Sequence, residues 1–239
     1  VAIINDLKKY QDVFLDFVCG TSFLKVNKSL KEKIRCFYRM GAPASLLPFL
    51  MQLTENVISE NVSETTAIEI LNLIETFLVR RAICGIEPTG LHAVFKRLWS
   101  DVENDVSQSN VKDIIMSHKT VQWPTNRELE ENLRTRKLYG ASICPYILGE
   151  LDMSHGGDQP ADKATIEHVL PQNPEGKSQW CKDFEKNERT ELTDTVSNLV
   201  LLSTSGQNKV KNKDYTIKRS EYAASSMYTI ARAFSEKYN

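Results

Sequence analysis

No apolar run in the 239 residues approaches the roughly 18 that a membrane helix needs. The N-terminus also lacks the basic, apolar and small-residue pattern of a signal peptide. Charge of one sign is missing too: 30 Lys+Arg stand against 31 Asp+Glu, a net charge of -1. That excludes a uniformly basic nucleic-acid coat, though not a local basic patch. Cysteine is scarce, with Cys19, Cys36, Cys84, Cys144 and Cys181 the full set, an odd number with no CxxC pair. A disulfide framework and a zinc ribbon are thereby disfavoured, and a reducing cytoplasm is the expected setting. There is no GxxxxGK[ST] loop to cradle a nucleotide.

What remains is the composition of a soluble globular protein, 41% hydrophobic and 26% charged, so wholesale disorder is excluded. The chain opens on Val1 rather than Met, directly into an apolar-periodic stretch, and we read it as part of something longer.

From Val1 to about Asp152 the apolar period is helical. Leu7, Val13, Phe14, Phe17 and Val18 form one expected stripe. Helices are predicted over 29–40, 46–58, 64–83, 89–101, 109–118, 126–137 and 139–151. The stretch 64–83 is the clearest of these. Ile68, Leu71, Ile74, Leu78 and Ala82 define its expected face, and Gly85 is its stop. The texture changes around Ser154–Lys163, where Ser-His-Gly-Gly-Asp-Gln-Pro (154–160) is turn chemistry. Two short apolar runs follow, 165–170 and 197–202, and each suits a strand. About 26 mostly polar residues separate them. A basic helix after the second run and a last helix over 216–236 complete a strand, long loop, strand, helix outline. The division expected is 1–155, helical, and 156–239, a small ββα unit.

One constellation stands above background. Glu167-His168 leads into Val-Leu-Pro171-Gln172, Asn198 heads the second run 30 residues after His168, and Asn208 lies ten further on. Imidazole, with an unperturbed pKa of about 6.5, is largely neutral and proton-accepting at pH 7. Carboxylate and amide oxygens suit a hard cation such as Mg²⁺. Taken alone, a His beside a carboxylate is more often structural. His92 and His118 lie on predicted helices without partners, and His155 sits in the Gly-rich linker; all three read as structural.

Glu-His-Val-Leu-Pro-Gln, then Ser-Asn-Leu-Val-Leu-Leu, then Gln-Asn-Lys resembles the HNH (His-Me finger) nucleases. It is more similar still to the nuclease part of the GmrSD-type modification-dependent restriction endonucleases, through Trp180 and the tail residues Lys218, Tyr222 and Ser225. In the helical region, Leu78-Val-Arg80-Arg81-Ala-Ile-Cys-Gly-Ile and Trp123-Pro-Thr extend the resemblance over nearly the whole chain. Read from the residues alone, Arg80 and Arg81 either pair with acidic residues or meet a phosphate, the structural reading being favoured, and Trp123 and Trp180 read as packing anchors.

The resemblance implies a mainly α chain ending in a ββα-metal, HNH-like domain. It implies His168 as general base, Asn198 as the residue orienting the imidazole or the loop, and one divalent cation per site, Mg²⁺ or Mn²⁺, on Asn208. Glu167 stands where many such sites carry an Asp ligand, one methylene longer. The implied activity is hydrolysis of a double-stranded DNA phosphodiester, a monomer nicking one strand, in defence against phage or other foreign DNA, with modified DNA as a candidate trigger. Larger members carry a nucleotide-dependent sensor domain, which implies as partner here an NTP-dependent sensor domain of the same full-length protein. Lys209, Lys211, Lys213, Lys218 and Arg219 against Asp214 read either as a solvated face or as phosphate contacts, with Lys209, Lys213, Lys218 and Arg219 the DNA-binding candidates. A reading of another class makes the helical region a DNA- or protein-binding module attached to an inactive nuclease remnant.

Overall fold

The computed structural model describes residues 2–20, 24–158, 164–225 and 227–238. It is mainly helical, with one small antiparallel sheet. Two compact units divide between Thr125 and Asn126. The change of texture at 155/156 marks where helix gives way to strand; the division between compact units falls earlier. Of the two helices before the linker, Cys144–Ser154 packs on the second strand while Asn126–Thr135 packs on the Val196–Asn198 turn ahead of it. Residues 159–163 of that linker region lie outside the described residues.

The first unit is a helical array: α1 (Ala2–Lys8), α2 (Gln11–Cys19), α3 (Lys28–Arg39), α4 (Leu47–Ile58), α5 (Glu64–Ile83), α6 (Leu91–Phe95), α7 (Leu98–Val102) and α8 (Gln108–Ser117). Helix starts follow side-chain oxygens that accept otherwise orphaned N–H groups. Asn27 accepts from Leu30 N at 2.8 Å, Ser63 from Thr66 N at 3.0 Å and Ser107 from Asn110 N at 3.3 Å. The core helix α5 buries Ile70, Leu71, Ile74, Phe77 and Leu78, while Ile68 and Ala82 at the margins of the expected face are only half-buried. It stops at Gly85, whose φ of 69° lies in the left-handed region that favours glycine.

Two further expectations in this unit need correction. The stripe from Leu7 to Val18 requires one continuous helix, but the chain turns at Lys9–Tyr10. Val13 and Phe17 are buried, whereas Leu7, Phe14 and Val18 are exposed. The helix expected over 89–101 is two short ones, α6 and α7. Arg80 and Arg81 are structural: Arg80 Nη1 donates to Pro124 O at 2.9 Å, and Arg81 donates to Gln122 O at 2.9 Å and Glu87 O at 2.6 Å. Trp123 packs against Phe77, ring centroids 4.9 Å apart.

The second unit comprises α9 (Asn126–Thr135), α10 (Cys144–Ser154), β1 (Ala164–His168), α11 (Gln179–Asp183), α12 (Lys186–Leu192), β2 (Leu199–Ser203), α13 (Thr204–Val210), α14 (Tyr215–Ala223) and α15 (Thr229–Lys237). β1 and β2 pair antiparallel, from Ala164 opposite Ser203 to His168 opposite Leu199. Leu199 to Leu202 are all buried, as a strand covered on both faces requires. Ser203 ends β2 and caps α13, accepting from Gly206 N at 3.1 Å. α13 packs on both strands, and α10 and α15 pack on β2.

The connection between the strands carries α11 and α12, where the sequence suggests a polar loop. The single helix expected over 216–236 is two, α14 and α15; Tyr228 ahead of the second is buried with extended backbone, and Asp152 Oδ1 accepts Ile230 N at 2.9 Å at the new helix start. Continued as one helix, the basic segment would put Lys209 and Lys213 on one side and Lys211 on the other. Lys211 instead follows α13 with φ at 34°, so Lys209 and Lys213 do not share a helical face.

Candidate active site

Neighbouring residues of a strand point to opposite faces, and β1 ends by using both. Glu167 faces α13 and α14. Lys218 Nζ donates to Glu167 Oε1 at 2.6 Å and to His168 O at 2.5 Å, and Tyr222 OH donates to Glu167 Oε1 at 3.3 Å. A side-chain hydrogen bond from Gln207 completes the shell. Lys218 is 0% and Glu167 2% exposed. Burial pushes the Glu167 carboxyl up and the Lys218 ammonium down, and their contact opposes both shifts. Burial also raises the Tyr222 phenol, with the neighbouring carboxylate adding to it.

His168 turns the other way. The residue is 9% exposed, with Nε2 3.1 Å from Asp194 Oδ1. The same oxygen accepts Gln172 Nε2 at 2.9 Å. Tyr139 meets the imidazole edge-on, centroids 4.3 Å apart. Asp194 is fixed from behind, since its carbonyl accepts Leu138 N at 2.8 Å and Tyr139 N at 3.1 Å. Burial is the largest influence on His168 and lowers its pKa; Asp194 pulls it back up, and the Lys218 charge lowers it further. The ring is thus held neutral at pH 7 and able to accept a proton.

Asn198 holds the backbone rather than the ring. Its Oδ1 accepts Leu170 N at 2.7 Å, and its Nδ2 donates to Leu170 O at 2.9 Å and Thr193 O at 2.7 Å. Val169 N adds a bond to Asn198 O at 2.9 Å. One amide thereby pins the turn that follows His168 to the segment that carries Asp194. Among the described residues Asn198 bonds the loop after His168, and no bond joins it to the imidazole.

Asn208 is exposed on α13, and among the described residues no hydrogen bond joins it to His168 or Glu167. Its amide oxygen suits a hard cation, which ordinarily retains waters and shares substrate oxygens. Glu167 does not fit as a ligand: its buried carboxylate already meets an ammonium and a phenol. No group of three or more His, Cys, Asp or Glu among the described residues could hold a metal by itself.

The expected DNA contacts divide in the same way. Lys209 and Lys213 are exposed; Lys209 pairs with Glu221 at 2.9 Å. Arg219 is half-buried and donates to Ser235 O at 2.9 Å. Lys218 is removed from the set, because a fully buried ammonium cannot meet a phosphate. Trp180 is an anchor, its indole donating to Lys213 O at 2.9 Å. His155 bonds back to Leu151 O of its own helix at 2.9 Å.

The residue that sequence reasoning missed is Asp194. The signal available was its place just ahead of β2, because the register sets Leu199 opposite His168. Among the described residues no helix is long and apolar enough to cross a membrane. No curated protein and no solved structure matches the chain. Residues 123–239, which contain the whole of this site, match the family described as GmrSD restriction endonucleases, C-terminal domain, and that part of the chain is accordingly similar to the C-terminal region of a restriction endonuclease.

Proposed function

We propose that the protein is a metal-dependent DNA endonuclease of the HNH, or His-Me finger, kind, acting in defence against phage or other foreign DNA, with modified DNA as a candidate trigger. The observation that carries this reading is His168: a desolvated, neutral imidazole at the end of β1, backed by a carboxylate and followed by a turn that Asn198 pins. His168 takes a proton from water, the water oxygen bonds to phosphorus, and the 3′ oxygen departs. Asn208 would hold a single Mg²⁺ or Mn²⁺, which supplies charge stabilisation to the phosphate oxygens when bound. Lys209, Lys213 and Arg219 are the candidates for phosphate contacts. By the family resemblance, its partner would be a nucleotide-dependent sensor domain of the same full-length protein; no nucleotide-dependent activity is assigned to these residues, which have no phosphate-cradling loop.

The experiment is incubation of the purified chain with supercoiled plasmid and Mg²⁺ or Mn²⁺. Relaxed circles should accumulate, because one site serves one strand, and EDTA should prevent it. Intact plasmid with both metals, or nicking that ignores EDTA, would sink the reading.

A further inference from the structure

We propose that Asp194 is a positioning residue for His168, fixing the imidazole proton on Nε2 so that Nδ1 is the nitrogen that accepts the proton from water. The inference rests on the nuclease reading for its chemical consequence, but the tautomer stands on the structure alone.

A neutral imidazole has one N–H and one lone pair, and an ionised carboxylate can only accept. With Asp194 Oδ1 3.1 Å from Nε2, that nitrogen must be the donor, and the lone pair falls to Nδ1. Nδ1 has no hydrogen-bond partner among the described residues. Asp194 is itself held in place. Gln172 donates to the same oxygen, and the N–H groups of Leu138 and Tyr139 hold its carbonyl. The Tyr139 ring lies edge-on to the imidazole, centroids 4.3 Å apart.

A water O–H bond breaks and its proton goes to Nδ1. The oxygen bonds to phosphorus, the bond to the 3′ oxygen breaks with its electron pair, and solvent protonates that oxygen. The imidazolium left behind gains a carboxylate counter-charge 3.1 Å from Nε2. The other charged or titratable groups around His168 are Lys218 from α14, Glu167 on its own strand and Tyr139 from the α9–α10 connection.

Asp194→Asn tests this directly. An amide can donate to Nε2 and so transfer the ring proton to Nδ1, the wrong tautomer for a base at that position. Loss of such a partner in a base-assisted hydrolase lowers kcat by about 10²- to 10⁴-fold. We expect that fall with KM and DNA affinity near the parent, and partial recovery in Asp194→Glu. The independent readout is the ¹⁵N spectrum of the imidazoles. The chain has four His, and His168→Ala identifies the signal of interest.

The parent should show the Nε2–H form above the His168 pKa, and Asp194→Asn should shift toward Nδ1–H in a spectrum that otherwise reports a folded chain. A parent already in the Nδ1–H form would overturn the proposal even if it nicks DNA. So would an Asn variant with unchanged tautomer and kcat. A parent that fails to nick while its tautomer still responds to Asp194 would remove the nuclease reading and leave the Asp194–His168 relationship standing.

Discussion

Lys218 reaches from α14 to Glu167 on β1, its ammonium 2.6 Å from the carboxylate, and both side chains are buried. The same ammonium holds the carbonyl of His168, so this ion pair braces the strand end that carries the imidazole. It also argues against Glu167 as a cation ligand, since its carboxylate already has a positive partner inside the protein.

A buried pair is expensive to break and less expensive to replace as a whole. Lys218→Met alone leaves a carboxylate without its cation and should destabilise the chain by about 3–5 kcal/mol. Glu167→Leu combined with Lys218→Met should regain most of that loss, because both desolvated charges disappear together. Urea unfolding of the two single variants and the double variant measures the coupling. Additive losses would mean that the two groups do not act as a pair.

The direction of the His168 shift sets a pH dependence. Burial lowers its folded pKa below the ordinary value of about 6.5. The folded state therefore binds fewer protons than the unfolded one, and stability falls as pH drops from about 6.5 toward the folded pKa. Activity needs the neutral ring, so kcat should rise with pH through a midpoint below about 6.5. His168→Ala should abolish nicking, typically a loss of about 10²–10⁴-fold, and flatten this part of the stability profile. A kcat midpoint above about 7 in the parent would contradict the buried imidazole as base.

Helix α5 shows what a sequence can specify locally: the cap Ser63, the apolar spacing and Gly85 all lie within or beside the segment they define. The pairing of the two short apolar runs as strands is likewise legible, whereas the roles of Glu167, His168 and Asn198 come from the motif resemblance rather than from spacing. Other features depend on distant partners. Lys218 looks like one more surface cation until α14 is laid against β1, and nothing near it in sequence announces Glu167, 51 positions away. Asp194 is hidden for the same reason: its partner is set by strand register. The break after α13 is hidden as well, since Lys211 adopts a positive φ that its residue type does not favour.

Asn208 separates metal binding from proton transfer. With its amide exposed on α13, Asn208→Ala should leave the fold intact and weaken a divalent cation site. Nicking should fall and recover in part as Mg²⁺ is raised or Mn²⁺ supplied, whereas His168→Ala should not recover. Calorimetric titration of each metal into the parent and both variants decides the assignment. Equal metal affinity in Asn208→Ala and the parent would take Asn208 out of the coordination sphere.

The basic segment presents its exposed lysines from more than one element. Lys209 lies near the end of its helix beside Glu221, and Lys213 lies in the turn before α14, so the two ammonium groups are presented by different elements. Each phosphate contact to duplex DNA contributes ~0.9 to the slope of log affinity against log salt. Replacing both Lys209 and Lys213 by Ala should therefore flatten that slope by up to ~2 units, with affinity falling about equally across sequences. Lys218→Met should leave the slope unchanged wherever it remains folded, because a fully buried ammonium releases no counterion on binding. Anisotropy of a labelled short duplex over a salt series reads all these variants. A parental slope in the double variant would make the exposed lysines a solvated face, and a flatter slope in folded Lys218→Met would place that side chain against DNA rather than against Glu167.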